Sequence, residues 1–357
     1  MKLLDLFSGI GGFHLGLEQS GFKFDWVGFS EIDKYANKQY ERRFPNAKEL
    51  GDVTTIQPKD LPNDITILCG GFPCQAFSIA GKRQGFNDTR GTLFFEIARI
   101  LRYFKQIGKP IPYFVLENVK GLLNHDNGQT FATIYKVLTE IGYTIECQLL
   151  NTKWFLPQNR ERIYIVGHLG KGSGSKIFPI RKSDRIFEQS REKKRKGSSE
   201  LCSTITSNLH KGVHAMGETY VQVADFRNDE GLRIRKDGNS PCLSTRRHSK
   251  TDISTMPPLI MPVLTPNRAK KRQNGRRFKE DGEDMFTLTS QDQHGVQINN
   301  TIRRLTPTEA ERLQGFPDGW TEGQSDTQRY KQLGNAVSVP VIKVIGEKIW
   351  RLTQRNI

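Results

Sequence analysis

The feature of this sequence that most constrains its fold is an alternation of short apolar runs with amphipathic stretches, sustained from Met1 to about His168. Leu3 to Phe7, Trp26 to Phe29, Ile65 to Cys69, Tyr113 to Leu116 and Ile163 to Val166 read as strands. Between them, His14 to Ser20, Lys34 to Arg43, Leu93 to Phe104 and Phe131 to Ile141 carry helical patterns. An order of βαβα predicts a mostly parallel sheet, and so an α/β domain. The first strand runs into Ser8-Gly9-Ile10-Gly11-Gly12. Glycines there let the backbone turn tightly at the carboxyl edge of the sheet and approach a ligand closely.

With 357 residues, 36% of them hydrophobic, the chain can bury one large core or two ordinary ones. After His168 the pattern breaks into GKGSGSK, RKSDRIFEQSREKKRKGSS and long polar stretches, which marks a boundary. The expected division is a first domain over 1–170, completed by a C-terminal helical part at about 326–357, and a small domain over 171–325. Three segments there echo one another, Cys202 to Gly212, Cys242 to Lys250 and Met285 to Gly295, each placing a β-prone run before a polar loop. They read as hairpins. From Thr301 periodicity returns: TPTEAERLQGF predicts a helix capped by Thr306 with Glu309 at its third position, and Val339 to Leu352 predicts a last helix apolar enough to dock on the first domain.

The net charge of +16, from 54 basic and 38 acidic residues, points to a polyanionic partner, and nucleic acid fits best. Residues 171–300 hold roughly 25 basic and 15 acidic side chains, so much of the surplus lies there. MKLLDLFSGIGG reaches glycine too soon for a signal peptide and no window resembles a membrane span, so the chain is expected in the cytosol or nucleoid, without a membrane partner. Cys69, Cys74, Cys147, Cys202 and Cys242 are widely spaced with no CxxC pair, which argues against zinc or a disulfide framework. A special cysteine here is a catalytic one, and no metal ligand set is expected.

Gly70-Gly71-Phe72-Pro73-Cys74-Gln75-Ala76-Phe77-Ser78 leaves the strand ending at Cys69 and carries a thiol on a glycine-flanked loop. A free thiol of pKa about 8.5 is mostly protonated at neutral pH, so a nucleophilic one needs a backbone-amide or cationic setting. Glu117 in FVLENV follows a second buried-looking strand, and Arg160 and Arg162 in QNRER precede a third. Together they supply a nucleophile, a proton donor and an anchor for an oxygen.

These segments resemble the cytosine-5 DNA methyltransferases, and the match spans nearly the whole chain. LDLFSGIGGF resembles that family's cofactor loop (Phe7, Ser8, Gly9, Gly11 and Gly12), and Glu31 in FSEID the acid that binds the cofactor ribose. Asp52 in GDVT is similar to the residue near the adenine amino group, and Asn335 in QLGNAVSVPV to a cofactor-binding asparagine. GFPCQAFSIAG, TRGTLFFEIARI with Leu93, ENV, QNRERIYIVG and RRLTPTEAERLQGFP follow in family order. Asn159 departs from the basic residue associated with that position, while Arg160 and Arg162 remain.

The resemblance implies a Rossmann-like S-adenosylmethionine-dependent domain beside a smaller, irregular, β-containing target-recognition domain. It implies transfer of a methyl group from S-adenosyl-L-methionine to C5 of a cytosine flipped out of double-stranded DNA. Cys74 would add to C6, Glu117 would protonate N3, Arg162 would hold O2, and the Pro73 carbonyl would accept from the exocyclic amine, with Gln75, Ser78 and Arg160 nearby. Phe7 and Ile32 would enclose the adenine. Base reading would fall to the loops after the echoed segments, at Arg246, Arg247, His248, Asn208 and Gln291. A monomer paired with a restriction endonuclease is the expected working form. A tRNA cytosine methyltransferase and a catalytically inactive DNA-binding relative stay open as alternatives.

Overall fold

A computed structural model describes residues 1–73, 93–169, 177–181, 224–227, 231–234, 260–266, 276–298 and 301–355. The chain forms two compact units. The first comprises Met1–Asn151, Glu161–Arg181 and Ala336–Ile357; the second comprises Thr152–Arg160 and Lys182–Asn335.

In the first unit the described elements are β1 (Lys2–Leu6), α1 (Gly12–Gln19), β2 (Trp26–Ser30), α2 (Lys34–Arg43), β3 (Lys48–Glu49), β4 (Ile67–Gly70), α3 (Leu93–Gln106), β5 (Tyr113–Val119), α4 (Gln129–Ile141), β6 (Thr144–Asn151) and β7 (Glu161–His168). They build one seven-stranded sheet of order β3-β2-β1-β4-β5-β7-β6. β1 pairs in parallel with β2 and β4, and β4 with β5, whereas β7 runs antiparallel to both β5 and β6. The expected parallel sheet is therefore present with one reversed strand. β6, which the sequence reading did not anticipate, closes its edge.

The chain first winds outward from β1 to β2 and β3, then returns to the other side of β1 at β4. In a parallel sheet such a reversal opens a crevice at the carboxyl ends of the two strands, because the connecting loops leave in opposite directions. The loop after β1 starts at Phe7 and the loop after β4 at Gly71, so both glycine-bearing loops stand at that crevice.

Strand periodicity sorts the core. Leu4 and Leu6 of β1 join Leu68, Phe114 and Leu116 in a cluster with Phe94, Ile97, Leu101 and Phe104 of α3 and Ile134 and Leu138 of α4. Fully burying such a side chain is worth roughly 1.5–3 kcal/mol, which ties both helices to the sheet. Asp5, between the two leucines, faces the other way and is fully buried. On α2, Asp33 caps the helix by accepting from the Tyr35 and Ala36 backbone N–H groups, while Arg42 and Arg43 in its last turn interact favourably with the negative end of the dipole.

In the second unit, β8 (Ala224–Arg227) and β9 (Gly231–Ile234) form an antiparallel pair, and β10 (Ile260–Leu264), β11 (His294–Ile298) and β12 (Thr301–Arg304) an antiparallel sheet. α5 (Pro307–Gln314) and α6 (Asp326–Asn335) follow. The capping box predicted at Thr306 and Glu309 is present, with Pro307 inside the first turn and Gly315 as a left-handed cap at φ 82°. The third echoed segment is not a hairpin: Met285 makes an isolated bridge to Gln158, and strand structure begins only at His294. The other two echoed segments lie outside the described residues.

The chain ends in α7 (Val339–Arg355), part of the first unit. It lies so close to α1 that a Cβ on Gly16 would come within 2.7 Å of the Ile342 side chain, and Trp350 meets Phe22 edge-on at 5.2 Å.

Candidate active site

The loop after β1 is shaped by its own backbone. Phe7 has φ 54°, Gly9 φ 54° and Gly11 φ 83°, left-handed values that cost a non-glycine residue energy and that a packed surrounding must hold. Ser8 donates its N–H to the Ser30 carbonyl at 3.1 Å, and Gly11 to the Ser8 carbonyl at 3.0 Å. Glu31, just beyond β2, ties the crevice together: Oε2 accepts from the Gly9 N–H, and Oε1 from those of Ile32 and Asp33, each at 2.9 Å.

These residues suit a nucleoside-bearing cofactor. A carboxylate has about four acceptor positions and the backbone takes three at Glu31, which leaves capacity for a hydroxyl donor. Ser8 Oγ is buried without a hydrogen-bond partner. Nothing lies within 4 Å of where a Cβ on Gly9 would stand, so space opens above the loop. Ile32 is 79% exposed, an apolar side chain offered to solvent beside a polar cradle. Asp52 uses Oδ1 to accept from the Thr54 N–H and hydroxyl, both at 2.9 Å, and is itself exposed. Leu93 opens α3 and is half-buried. Asn335 ends α6 in the second unit, with an exposed side chain.

At the end of β4, Gly71, Phe72 and Pro73 begin the cysteine loop; Cys74, Gln75 and Ser78 lie outside the described residues. Glu117 sits on β5 with its side chain 11% exposed. A Cβ on Gly71 would stand 3.3 Å from Glu117 Oε2, so glycine is what lets the carboxylate lie against the loop. From β7, Arg162 brings Nε within 2.9 Å of Glu117 Oε1, and its Nη1 donates to the Glu161 carbonyl at 2.8 Å. Oε1 makes no aligned hydrogen bond despite that distance, so the contact is an ion pair whose N–H groups remain directed elsewhere.

Sequence reasoning missed Asn118. It is 2% exposed, donates Nδ2–H to the Phe72 carbonyl at 2.9 Å, and accepts the Val119 N–H on Oδ1 at 2.8 Å. A polar pair inside the apolar run FVLENV was the available signal, and only its first member was read as chemistry.

In the second unit, Arg160 is 2% exposed and donates Nη1 to the carbonyls of Leu288 and Gly334 at 3.0 and 3.3 Å. Gln158 is fully buried, donating to the Leu313 carbonyl and accepting from the Leu288 N–H. Of the residues expected to read bases, Gln291 lies on an exposed turn before β11, while Asn208, Arg246, Arg247 and His248 fall outside the described residues. Among the described residues no cluster of acidic, histidine or cysteine side chains could hold a metal ion, and no helix is long and apolar enough to cross a membrane.

The chain is similar to known proteins over nearly its whole length. The family model for C-5 cytosine-specific DNA methylases matches residues 1–351. The chain is 35% identical to orphan methyltransferase M.SPRI of Bacillus phage SPR, over 98% of this chain and 97% of the relative. It is 38% identical to type II methyltransferase M1.ScrFI of Lactococcus lactis subsp. cremoris, over 99% of this chain and 79% of the relative. Among solved structures, Dnmt2 methyltransferase of S. pombe aligns with a TM-score of 0.60 at 19% identity, covering 100% of this chain and 99% of the other, a likeness of fold.

Proposed function

This chain belongs to the C-5 cytosine-specific DNA methylases, and from that premise we propose that it takes its methyl group from S-adenosyl-L-methionine and acts on a cytosine turned out of duplex DNA through a covalent bond to Cys74. The observation that carries the reading is the meeting of Gly71, three residues ahead of Cys74, with Glu117 and Arg162 at the ends of β4, β5 and β7.

Cytosine C5 is too weak a nucleophile to take a methyl group unaided. Addition of the Cys74 thiolate to C6 turns the ring into an enamine whose electron density is at C5. The same addition loads negative charge onto N3 and O2. Glu117, protonated as the base enters, gives that proton to N3, Arg162 donates to O2, and the Pro73 carbonyl accepts from the exocyclic amine. After methyl transfer, loss of the C5 proton and expulsion of the thiolate restore the aromatic ring. The ring faces needed for this are covered in a stacked helix, so the base must leave the stack.

S-adenosylmethionine supplies a methyl group activated by its positive sulfur. Ser8, Gly9, Gly11 and Gly12 would cradle it, Glu31 would take a ribose hydroxyl, Phe7 and Ile32 would flank the adenine, and Asp52 and Leu93 would complete the set. Arg160 has donors occupied by two carbonyls, so we assign it a positioning role. The surplus positive charge between 171 and 300 supports target recognition by that segment. The type II name of the Lactococcus relative supports pairing with a restriction endonuclease; the working form is a monomer. Tritium transfer from methyl-labelled cofactor tests the substrate: label in duplex DNA and none in tRNA is expected, and label in tRNA alone would replace DNA as the substrate.

A further inference from the structure

Behind the cofactor loop, on the face of β1 opposite α3 and α4, runs a buried polar chain the chemistry above does not use. Asp5 Oδ2 lies 3.1 Å from Tyr40 Oη, and Tyr40 Oη lies 3.1 Å from His14 Nδ1. His14 Nε2 lies 3.3 Å from Glu18 Oε1, at the surface. The Cys69 thiol donates to Asp5 Oδ1 at 3.3 Å. Asp5, Tyr40 and Cys69 are fully enclosed and His14 is 3% exposed.

The chain is also a platform. A Cβ on Gly11 would lie 3.3 Å from the Tyr40 ring and 2.5 Å from Phe44, whose ring stacks on His14 with centroids 3.8 Å apart. Gly11 is therefore seated on the rings that the polar chain fixes, and it is both the last turn of the cofactor loop and the cap of α1.

We propose that Tyr40 is a positioning residue for the cofactor loop, linking Asp5 beneath β1 to His14 on α1 so that the proton held by this chain sets how firmly S-adenosylmethionine is bound. The proposal rests on the reading that Ser8 to Gly12 cradle that cofactor.

Two proton arrangements satisfy the distances. In one, Asp5 carries a proton on Oδ2 and donates it to Tyr40 Oη, Tyr40 donates to His14 Nδ1, and His14 Nε2–H donates to the Glu18 carboxylate. Every donor then has an acceptor. When Asp5 loses its proton, the order reverses: Tyr40 donates to Asp5, His14 Nδ1–H donates to Tyr40, and Nε2 without hydrogen confronts the Glu18 carboxylate. The lone pair and the anion repel across 3.3 Å, which loosens the first turns of α1 and the glycine seated before them. Along the chain the Asp5 proton passes to Tyr40 Oη, the Tyr40 proton passes to His14 Nδ1, and the proton on His14 Nε2 leaves for solvent beside Glu18, so one proton is lost in all.

The groups facing Asp5 set where the switch occurs. Burial dominates and pushes its carboxyl up to about 8; the hydrogen bonds from Cys69 on β4 and Tyr40 on α2 oppose this, and the charge of Glu31 adds to it. His14 and Glu18 on α1 face it only through Tyr40. Burial first, then Asp5 itself, pushes the Cys69 thiol and the Tyr40 phenol well up, so neither supplies a competing charge.

The test is calorimetric titration of the full-length protein with S-adenosylmethionine between about pH 7 and pH 9, with kcat for DNA methylation at saturating cofactor. Wild-type affinity should fall about three- to tenfold over that range, the span of one lost hydrogen bond. Asp5→Asn, which keeps a neutral donor to Tyr40, should hold the neutral-pH affinity throughout. Tyr40→Phe, which keeps the ring under Gly11, should bind about three- to tenfold more weakly at pH 7 with no further fall, its kcat within about twofold of wild type. Each profile is read after correction for titration of the cofactor's own amino group, measured on the free cofactor. A flat wild-type profile, which needs no variant to fold, or a fall that persists in Asp5→Asn, would overturn the relay. Absence of cofactor binding by the wild type at every pH would instead overturn the cofactor reading, and the proposal with it.

Discussion

Asn118 donates Nδ2–H to the Phe72 carbonyl across 2.9 Å, joining the strand that carries Glu117 to the loop that leads into Cys74. Two residues before the nucleophile, this bond sets the angle at which the loop departs. Asn118→Ala removes it and leaves a buried carbonyl unsatisfied, at about 1–3 kcal/mol. Because a displacement of about 1 Å in a reacting group can cost about a hundredfold in rate, kcat should fall between about tenfold and a hundredfold while cofactor affinity holds. Steady-state kinetics with calorimetry would check this; unchanged kcat would remove the bond from the mechanism.

Cys74→Ser should abolish methyl transfer and leave cofactor and DNA binding intact, since a hydroxyl nearly matches a thiol in size but adds far more poorly to C6. DNA carrying 5-fluorocytosine at the target should trap wild-type protein covalently, because fluorine cannot leave as a proton does. Turnover by the serine variant, or no adduct on a denaturing gel, would discard C6 addition.

Two carboxylates divide the work. Glu31 accepts three backbone N–H groups around the cofactor loop, and charge-assisted bonds are worth about 1.5–3 kcal/mol. Glu31→Ala should therefore weaken cofactor binding about tenfold or more. Glu117→Gln cannot deliver a proton to N3 and should lower kcat by about 10² to 10⁴ with cofactor affinity unchanged. Equal loss of cofactor binding in both variants would refute the division.

Much of this layout was legible because strands buried on both faces are near-continuous apolar runs, as in LLDLF and FVLENV. β6 was not. Its sequence TIECQLLN alternates polar residues that hold neighbouring backbone: Glu146 accepts from the N–H groups of Ile177 and Phe178, and Gln148 exchanges two bonds with Ile180. Hydrophobic periodicity is blind to a strand whose outward side chains grip a strap. α6, DTQRYKQLGN, buries only Gln332, Leu333 and Gly334 among the residues of its length, too narrow a stripe to read. Asp5 was hidden differently: one acid in an apolar strand shows that something must satisfy it, but the partners lie 35 and 64 residues away.

His294 gives a pH signature to the second unit. Its ring is buried on β11, Nε2 accepts from the Thr289 N–H at 3.3 Å, and burial lowers its pKa from 6.5 to about 4. The unfolded chain then binds a proton between those values that the folded chain refuses, so the contribution is whole above about pH 6.5 and is lost as pH falls through about 4. The full loss is about 3 kcal/mol. Urea unfolding followed by tryptophan fluorescence should show this decline in wild type and a shallower one in His294→Gln; identical slopes would assign the acid sensitivity elsewhere.

Specificity is expected from the loops after the echoed segments, where Arg246 and Arg247 interrupt CLSTRRHSK within the most basic part of the chain. An arginine that pairs with guanine O6 and N7 discriminates by about 1–3 kcal/mol per contact, whereas one that grips a phosphate carries no sequence information. The two roles differ in salt dependence. Losing a phosphate contact weakens binding to every sequence and flattens the salt slope by about one unit; losing a base reader relaxes methylation at one position of the site. Neighbouring residues on one loop need not share a role, so each is replaced singly. Bisulfite sequencing of plasmids methylated by Arg246→Ala and by Arg247→Ala should show relaxed site choice in at least one, with the salt slope of that variant unchanged. Unaltered site choice in both would move base reading away from this loop, with Gln291 on its exposed turn the next residue to replace.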